Sequence, residues 1–251
     1  NVPDAVQHSI KEVSVLKIRI KFSKHGVMKF IGHLDIMRYF QKAIRRADLD
    51  IVYTEGFSPH MVMSFASPLG VGLTSDAEYF DIEIHGTISS KEALERLNRV
   101  MVDGIEVLSF RQVPQDKANK AMSLVAAADY LVSYREGKAP CEDWEEKILE
   151  FYNQDQILIV KKTKKSEKEM DIRPYIYQLE VRDHHIFMQL CAGSVVNIKP
   201  ELVLEAFAQW MQVEQEPYSL LVHRLEMYAD TGTDGKRQFV SLEDLGEEIA
   251  E

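Results

Sequence analysis

The sequence predicts an α+β protein built from two ferredoxin-like lobes in tandem, each with the element order β-α-β-β-α-β. Three observations support this prediction. A hydrophobic content of 45% in 251 residues can fill the core of one large domain or two ordinary ones. Apolar residues alternate with period two in some segments and repeat with helical period in others. The resulting order of elements occurs twice along the chain.

The first lobe is predicted to span residues 15–114. Residues 15–23 read VLKIRIKFS, in which apolar and basic side chains alternate, as in a strand with one buried face. Residues 33–47 place apolar side chains at helical spacing, and Gly56 and Pro59 break the β-rich stretch that follows. The remaining elements follow from the same periods: a strand within 51–65, a strand at 78–85, a helix at 90–101 and a strand at 105–113.

The second lobe is predicted to span residues 127–229. Its expected elements are a strand at 130–134, a helix at 141–152, strands at 156–163 and 185–191, a helix at 200–211 and a strand at 219–227. The stretch 171–181 fits neither the strand period nor the helix period clearly. Residues 230–251 are predicted to form an acidic tail. The halves share no close residue-level repetition, so the predicted duplication depends on element order alone.

The charge of the chain is distributed unevenly. A net charge of −10 argues against indiscriminate nucleic-acid binding, because an acidic surface repels phosphates. Residues 16–65 nevertheless carry nine basic side chains against four acidic ones, a local charge of +5. A specific basic surface within an acidic protein is therefore expected in the first lobe.

Composition also limits the location and the cofactors of the protein. The apolar runs are far shorter than the roughly 20 residues that cross a bilayer, and residues 1–11 lack a signal-peptide pattern, so we predict a cytoplasmic protein without membrane contact. Cys141 and Cys191 are too few for a disulfide framework or a cysteine-ligated metal. We therefore expect no cofactor or metal on this chain, and any metal would need histidine and carboxylate ligands.

The predicted helix at 33–47 carries a basic stripe beside its apolar face, because its basic residues are three, four, seven and eight positions apart. The stripe consists of Arg38, Lys42, Arg45 and Arg46. Such a row can bind phosphates, although a solvated helix face explains it equally simply. Lys17, Arg19 and Lys21, on the polar face of the first strand, are expected to add a second basic row.

His33, Asp35 and His60 are the candidates for acid–base chemistry, and no catalytic role can be assigned to them from the residues alone. A histidine at a helix start tends towards the neutral imidazole, which can act as a base. The alternative is that His33 and Asp35 serve the helix terminus.

The turn at 55–60 combines Gly56 and Pro59, which favour a tight bend, with an aromatic side chain that an exposed loop would use for stacking. We expect this turn and the start of the 33–47 helix to form the rim of one concave site. The alternative is that Phe57 packs in the core. The predicted binding residues are Lys24, Lys29, His33, Asp35, Arg38, Lys42, Arg45, Arg46, Glu55, Phe57, Ser58 and His60.

Residues 30–84 closely resemble the radical-SAM-linked protein family, also called domain of unknown function 2344. The motifs that carry the resemblance are His33–Asp35, Arg45–Arg46, Gly56–His60, Pro68–Gly72 and Ser75–Asp81. Residues 171–176 and the strand with Arg224 extend it to roughly 15–228, and Met61 departs from the proline expected there.

The resemblance implies association with a B12-binding-type radical SAM protein and, more loosely, a setting near ribosome and RNA-processing genes. The chain has no CxxxCxxC run, so the iron–sulfur cluster and S-adenosylmethionine are expected on the partner. Together with the basic segment, this suggests a non-catalytic accessory protein that presents an RNA or RNA-associated substrate.

Two alternatives stay open. The first is a metal-independent endoribonuclease of the CRISPR repeat-processing type, with His33 or His60 as the base. The second is a small-molecule or tetrapyrrole-binding module in which Phe57 and His60 line a pocket.

Overall fold

The computed structural model describes residues 14–162 and 167–251. The N-terminal stretch considered for a signal peptide, and the end of the strand predicted at 156–163, lie outside these residues. Within the described ranges, no helix is long and apolar enough to cross a membrane.

The chain contains five helices and twelve strands in the described residues. The strands are β1 (Val15–Lys24), β2 (Met63–Ala66), β3 (Thr74–His85), β4 (Ile105–Val113), β5 (Val125–Tyr134), β6 (Leu158–Lys162), β7 (Glu167–Asp171), β8 (Ile176–Arg182), β9 (His185–Cys191), β10 (Leu220–Asp230), β11 (Phe239–Ser241) and β12 (Glu247–Glu248). The helices are α1 (His33–Arg46), α2 (Ser90–Arg99), α3 (Ala121–Leu124), α4 (Trp144–Tyr152) and α5 (Pro200–Trp210).

One large, mostly antiparallel sheet organises the molecule. Its strand order is β12-β4-β1-β3-β10-β5-β9-β8, with β2 also paired to β3 and β11 to β10. The pairing of β3 with β10 is parallel and joins the strands of the first half to those of the second. A separate hairpin is formed by β6 and β7. The fold is therefore mixed α+β, as the two periodicities predicted.

Each half of the sheet has its own apolar core. In the first half, α1 packs its buried face on β1 and β3, where the Phe40 ring lies 4.6 Å from that of Phe22 and 4.7 Å from that of Phe80. In the second half, Phe151 of α4 and Phe207 of α5 are buried with ring centroids 5.4 Å apart. These contacts bury the residues whose helical spacing predicted the three helices.

Most predicted elements are present, and the differences follow from turn chemistry. The β-rich stretch 51–65 becomes a strand only at β2, because its first part forms a short hairpin closed by the bridge between Tyr53 and Met61. The ambiguous stretch 171–181 divides at a single 3-10 turn, Arg173–Tyr175, between β7 and β8. Pro174 in that turn has no amide hydrogen for a strand ladder, which explains the break.

The predicted basic row on β1 is buried and does not form a surface, which corrects the sequence-based expectation. Arg19 donates from Nε to Asp81 Oδ1 at 3.0 Å. Lys21 Nζ donates to carboxylates of Glu226 and Glu243 at 2.8 and 2.7 Å. The alternation of side chains was predicted correctly, but the polar face of β1 meets acidic partners from distant parts of the chain.

The C-terminal segment covers this polar face. β11 pairs with β10 and β12 pairs with β4, while Leu242 between them is fully buried. The Leu242 carbonyl accepts a hydrogen bond from Arg19 at 3.1 Å. Residues 230–251, predicted as an acidic tail, are therefore in contact with the sheet where these strands pair.

Candidate functional site

The parallel junction between β3 and β10 brings charged residues from three strands into one row. Arg224 of β10 and Lys24 of β1 are both in register with Ser75 of β3. Because residues in register project from the same face of a sheet, these side chains lie side by side. The row is on the face that packs against α1, and all three residues are buried.

Arg224 is held by a carboxylate and by a loop. Its Nε and Nη2 atoms donate to Glu78 Oε2 at 3.0 and 2.6 Å, and Nη2 also donates to the Ser67 carbonyl at 2.8 Å. Burial by itself disfavours the charged guanidinium, but the Glu78 carboxylate and Tyr130 together raise the pKa of Arg224. Arg224 therefore stays charged and fixes the start of the 67–73 loop.

Lys24 adds a second cation to this cluster. Its amine is buried and donates to the Ile31 carbonyl at 2.8 Å. The pKa of Lys24 is lowered, mainly by burial. The Arg224 charge lowers it too, and the Glu78 carboxylate opposes both effects. Two basic side chains beside one carboxylate are a suitable neighbourhood for an anionic ligand. Lys24 was predicted on the exposed basic surface, and its burial corrects that placement.

A cleft of about 280 Å³ opens beside Arg224. The cleft is lined by residues 67–70 of the 67–73 loop, by Tyr130 on β5 and by the start of α5, where Lys199 and Glu201 lie. Sequence reasoning missed Tyr130, Lys199 and the role of Glu78. A charged residue at position 78, next to the apolar strand pattern, was the signal that could have indicated a buried ion pair.

His33, at the start of α1, lies beside the buried cluster of Lys24, Glu78 and Arg224. Its ring lies edge-on to Phe65, with centroids 5.2 Å apart, and it lines a small cavity together with Lys24 and Glu78. The residue before the helix is Gly32, which makes no side-chain cap. His33 therefore packs towards the buried cluster.

His60 lies on a different element from His33. It is exposed, with Nδ1 3.0 Å from Thr54 Oγ1 across the hairpin that precedes β2. The hairpin leaves the edge of β3 between residues 52 and 63, which pair with β3 at Glu83 and Ile82. Among the described residues, the small cavity that His33 lines includes no residue of the 55–60 turn, and a common rim of this turn and the helix start stays a prediction.

Phe57 is fully exposed at the tip of this hairpin, so it is not a core residue. We expect Phe57→Ala to change the free energy of unfolding by no more than about 0.5 kcal/mol. Phe40→Ala is the matched control: Phe40 is fully buried, and its truncation should cost about 3–5 kcal/mol. Urea unfolding of both variants measures the difference. A loss of several kcal/mol in Phe57→Ala would show that this loop packs on the domain.

The basic stripe of α1 is exposed as predicted. Arg38, Lys42, Arg45 and Arg46 all face solvent, and Arg38 Nη1 lies 3.1 Å from an oxygen of Asp35 one turn earlier. Lys29, also predicted as a binding residue, lies near its N-terminal end with its amine 5.1 Å from the ring centroid of Phe30. Glu55 and Ser58 are exposed on the hairpin.

An apolar patch surrounds the start of the stripe. Its members are large exposed side chains on the turn before α1, on α1 and on the 67–73 loop, namely Val27, Phe30, Leu34 and Val71. The Gly72 amide donates to the Lys29 carbonyl at 2.7 Å, which attaches the loop to the turn. Contiguous exposed apolar residues beside charged ones are typical of interaction sites.

The fold and these surfaces define a mixed α+β protein with a buried charged cluster between its halves and a basic, partly apolar helix surface. The chain belongs to the family described as an uncharacterized protein conserved in bacteria, domain of unknown function 2344, whose model matches residues 17–200. That description names no radical SAM protein.

A comparison with curated proteins finds no match. Among solved structures, an unknown protein from Galdieria sulphuraria is similar to 84% of this chain and 98% of its own, at 9% identity and a TM-score of 0.27. At this TM-score the alignment carries no conclusion.

Proposed function

We propose that the chain is a non-catalytic, cytoplasmic accessory protein of a B12-binding-type radical SAM enzyme and that it presents an RNA or RNA-associated substrate. The observation that carries the RNA part is the exposed basic stripe on a chain of net charge −10. Phosphate contacts by such a row supply most of the affinity of nucleic-acid-binding surfaces. The exposed Phe57 ring offers a stacking platform for an unpaired base.

The partner part of the proposal is supported by the family resemblance and by the apolar patch. The patch lies at one end of the stripe, so one surface can contact a protein and a phosphate backbone together. Aromatic and aliphatic side chains at the centre of a patch with charged residues around it are common in protein interfaces. In this proposal the partner carries the iron–sulfur cluster and S-adenosylmethionine.

We further propose that residues 15–114 and 127–229 are two ferredoxin-like lobes. The spatial strand order of the first is β4-β1-β3-β2, so the fourth, first, third and second strands of the lobe lie side by side. The second gives the same order as β10-β5-β9-β8, with β6 and β7 as an inserted hairpin. Two identical strand orders support duplication of one β-α-β-β-α-β unit.

The alternatives gain less from the geometry. The nuclease reading needs a second group beside His33 or His60, and the contacts shown are to Phe65 for His33 and to Thr54 for His60. The small-molecule reading placed Phe57 and His60 in a pocket, yet both are exposed on a hairpin tip. The cleft beside Arg224 is the better place for a small anionic molecule.

Reversing two charges of the stripe tests the RNA part. The double variant Arg45→Glu, Arg46→Glu is expected to lower affinity for single-stranded RNA at least about tenfold and to reduce the salt slope by about 1.4, as for two lost phosphate contacts. Fluorescence anisotropy at several salt concentrations measures both quantities. The matched control is Lys117→Glu, Lys236→Glu, which changes net charge equally at two exposed positions outside α1.

If both double variants lose the same RNA affinity, the effect comes from net charge alone and the proposal is contradicted. Wild-type protein that binds RNA without salt dependence would contradict it as well.

Purification of the native protein from its host tests the partner. A bound protein with iron–sulfur absorption and S-adenosylmethionine affinity is expected, and its absence from the bound fraction would contradict the accessory role.

A further inference from the structure

Three potential metal ligands meet at the sheet junction, on the face opposite the Arg224 cluster. His25, Asp76 and His223 each lie one residue from a member of the buried row, so strand alternation turns them to the other side. His25 Nε2 lies 3.0 Å from Asp76 Oδ1, and His223 Nε2 lies 3.0 Å from Asp76 Oδ2. The three ligand atoms all lie within 4.8 Å of one another.

We propose that these three side chains form a binding site for a divalent transition metal of the zinc class. Bonds of about 2.0–2.1 Å at tetrahedral angles put ligand atoms roughly 3.3 Å apart, so small side-chain rotations would place all three around one ion. The two imidazoles supply nitrogen and Asp76 supplies oxygen. This donor set suits zinc, iron or cobalt, whereas magnesium and calcium prefer oxygen ligands alone.

The surroundings of the ligands support a metal site. Thr74 Oγ1 lies 2.7 Å from His223 Nδ1, so it can accept that N–H and leave Nε2 free for the ion. The His25 amide donates to the Gly104 carbonyl at 2.8 Å. Gly104 has φ +89°, and a Cβ there would lie 2.7 Å from the His25 carbonyl oxygen, so only glycine allows this close approach. The backbone of His25 is thereby fixed.

The proposed site keeps one coordination position open. The His25 and Asp76 side chains are about half exposed, at 46% and 51%, while His223 is more enclosed at 23%. Three protein ligands and a solvent-facing fourth position are the arrangement of metal sites that bind a water or an exchangeable ligand. We expect that position to accept water or an anionic oxygen such as a phosphate or carboxylate.

Zinc titration of the chelator-treated full chain, without a polyhistidine tag, tests the proposal. Isothermal calorimetry is expected to give one Zn²⁺ per chain, and Co²⁺ should give visible absorption bands of four-coordinate N/O ligation. His25→Gln and His223→Gln should each weaken zinc binding by more than about 100-fold, and Thr74→Val by about 10–100-fold, as for a residue that orients a ligand. Thermal melting without metal shows whether each variant is folded.

The matched control is His184→Gln. His184 also pairs with a carboxylate, its Nδ1 lying 2.5 Å from Glu145 Oε1, but among the described residues no third ligand atom completes a group within 4.8 Å there. Its zinc affinity should equal that of the wild type. No saturable binding at one ion per chain, or equal loss in His184→Gln and His223→Gln, would overturn the proposal. The basic stripe is not involved, so failure of the RNA experiment would leave this result unaffected.

Discussion

Replacing Arg19 with alanine is expected to destabilise the fold by about 3–5 kcal/mol, the range for breaking a buried ion pair by removing one partner. Asp81 would remain buried with only Lys17, whose Nζ lies 3.9 Å from Asp81 Oδ2, in place of a two-atom guanidinium contact. The carbonyls of Leu242 and Asn119 would lose Arg19 donors at 3.1 and 2.8 Å. These bonds attach the C-terminal segment and the connection before α3 to β1. Urea unfolding measures the change, and hydrogen exchange should rise first near residue 242.

Two further variants separate the ion pair from general loss of packing. Arg38→Ala removes an exposed partner of Asp35, both 66% exposed, and should change stability by about 0.5 kcal/mol or less. The triple variant Lys17→Met, Arg19→Met, Asp81→Leu removes all three buried charges, since Lys17 Nζ also lies 3.9 Å from Asp81 Oδ2, and it should be more stable than Arg19→Ala. A loss below about 1 kcal/mol in Arg19→Ala would contradict the structural role assigned to this pair.

Arg224→Ala is expected to have a similar cost, about 3–5 kcal/mol, with a different local consequence. Glu78 would keep Lys24 as its remaining cation nearby, but the Ser67 carbonyl would lose its donor at 2.8 Å. Ser67 has φ +37°, a conformation that serine adopts only when its surroundings hold it. Hydrogen exchange should therefore rise across residues 67–73, next to the cleft.

Glu78→Gln is the companion variant, because it keeps an oxygen acceptor while removing the charge that offsets Lys24 and Arg224. It should lower stability by an amount comparable to Arg224→Ala, since two buried cations would then lack a carboxylate. If Arg224→Ala unfolds like the wild type and its 67–73 amides exchange at the wild-type rate, the cluster does not hold this loop.

Local periodicity in the sequence predicts the elements of the first half. The alternation in 15–23 became β1, and the apolar spacing in 33–47 became α1, because both periods are properties of neighbouring residues. The exposed stripe on α1 followed from the same geometry, since its basic residues avoid the apolar face. The exposure of Phe57 was an expectation of its turn chemistry, and the structure agrees with it.

Contacts between residues far apart in the chain depend on how the strands pair in the folded sheet. Alternation on β1 showed a polar face but could not show that Asp81 and Glu226 would neutralise it. Thr74 and His223 are 149 positions apart, and they are neighbours because β3 and β10 pair in parallel at one register. The register between strands that are far apart in the chain depends on the whole sheet, so a local sequence pattern does not predict it. The same pairing that buries Arg224 brings His25, Asp76 and His223 together on the opposite face.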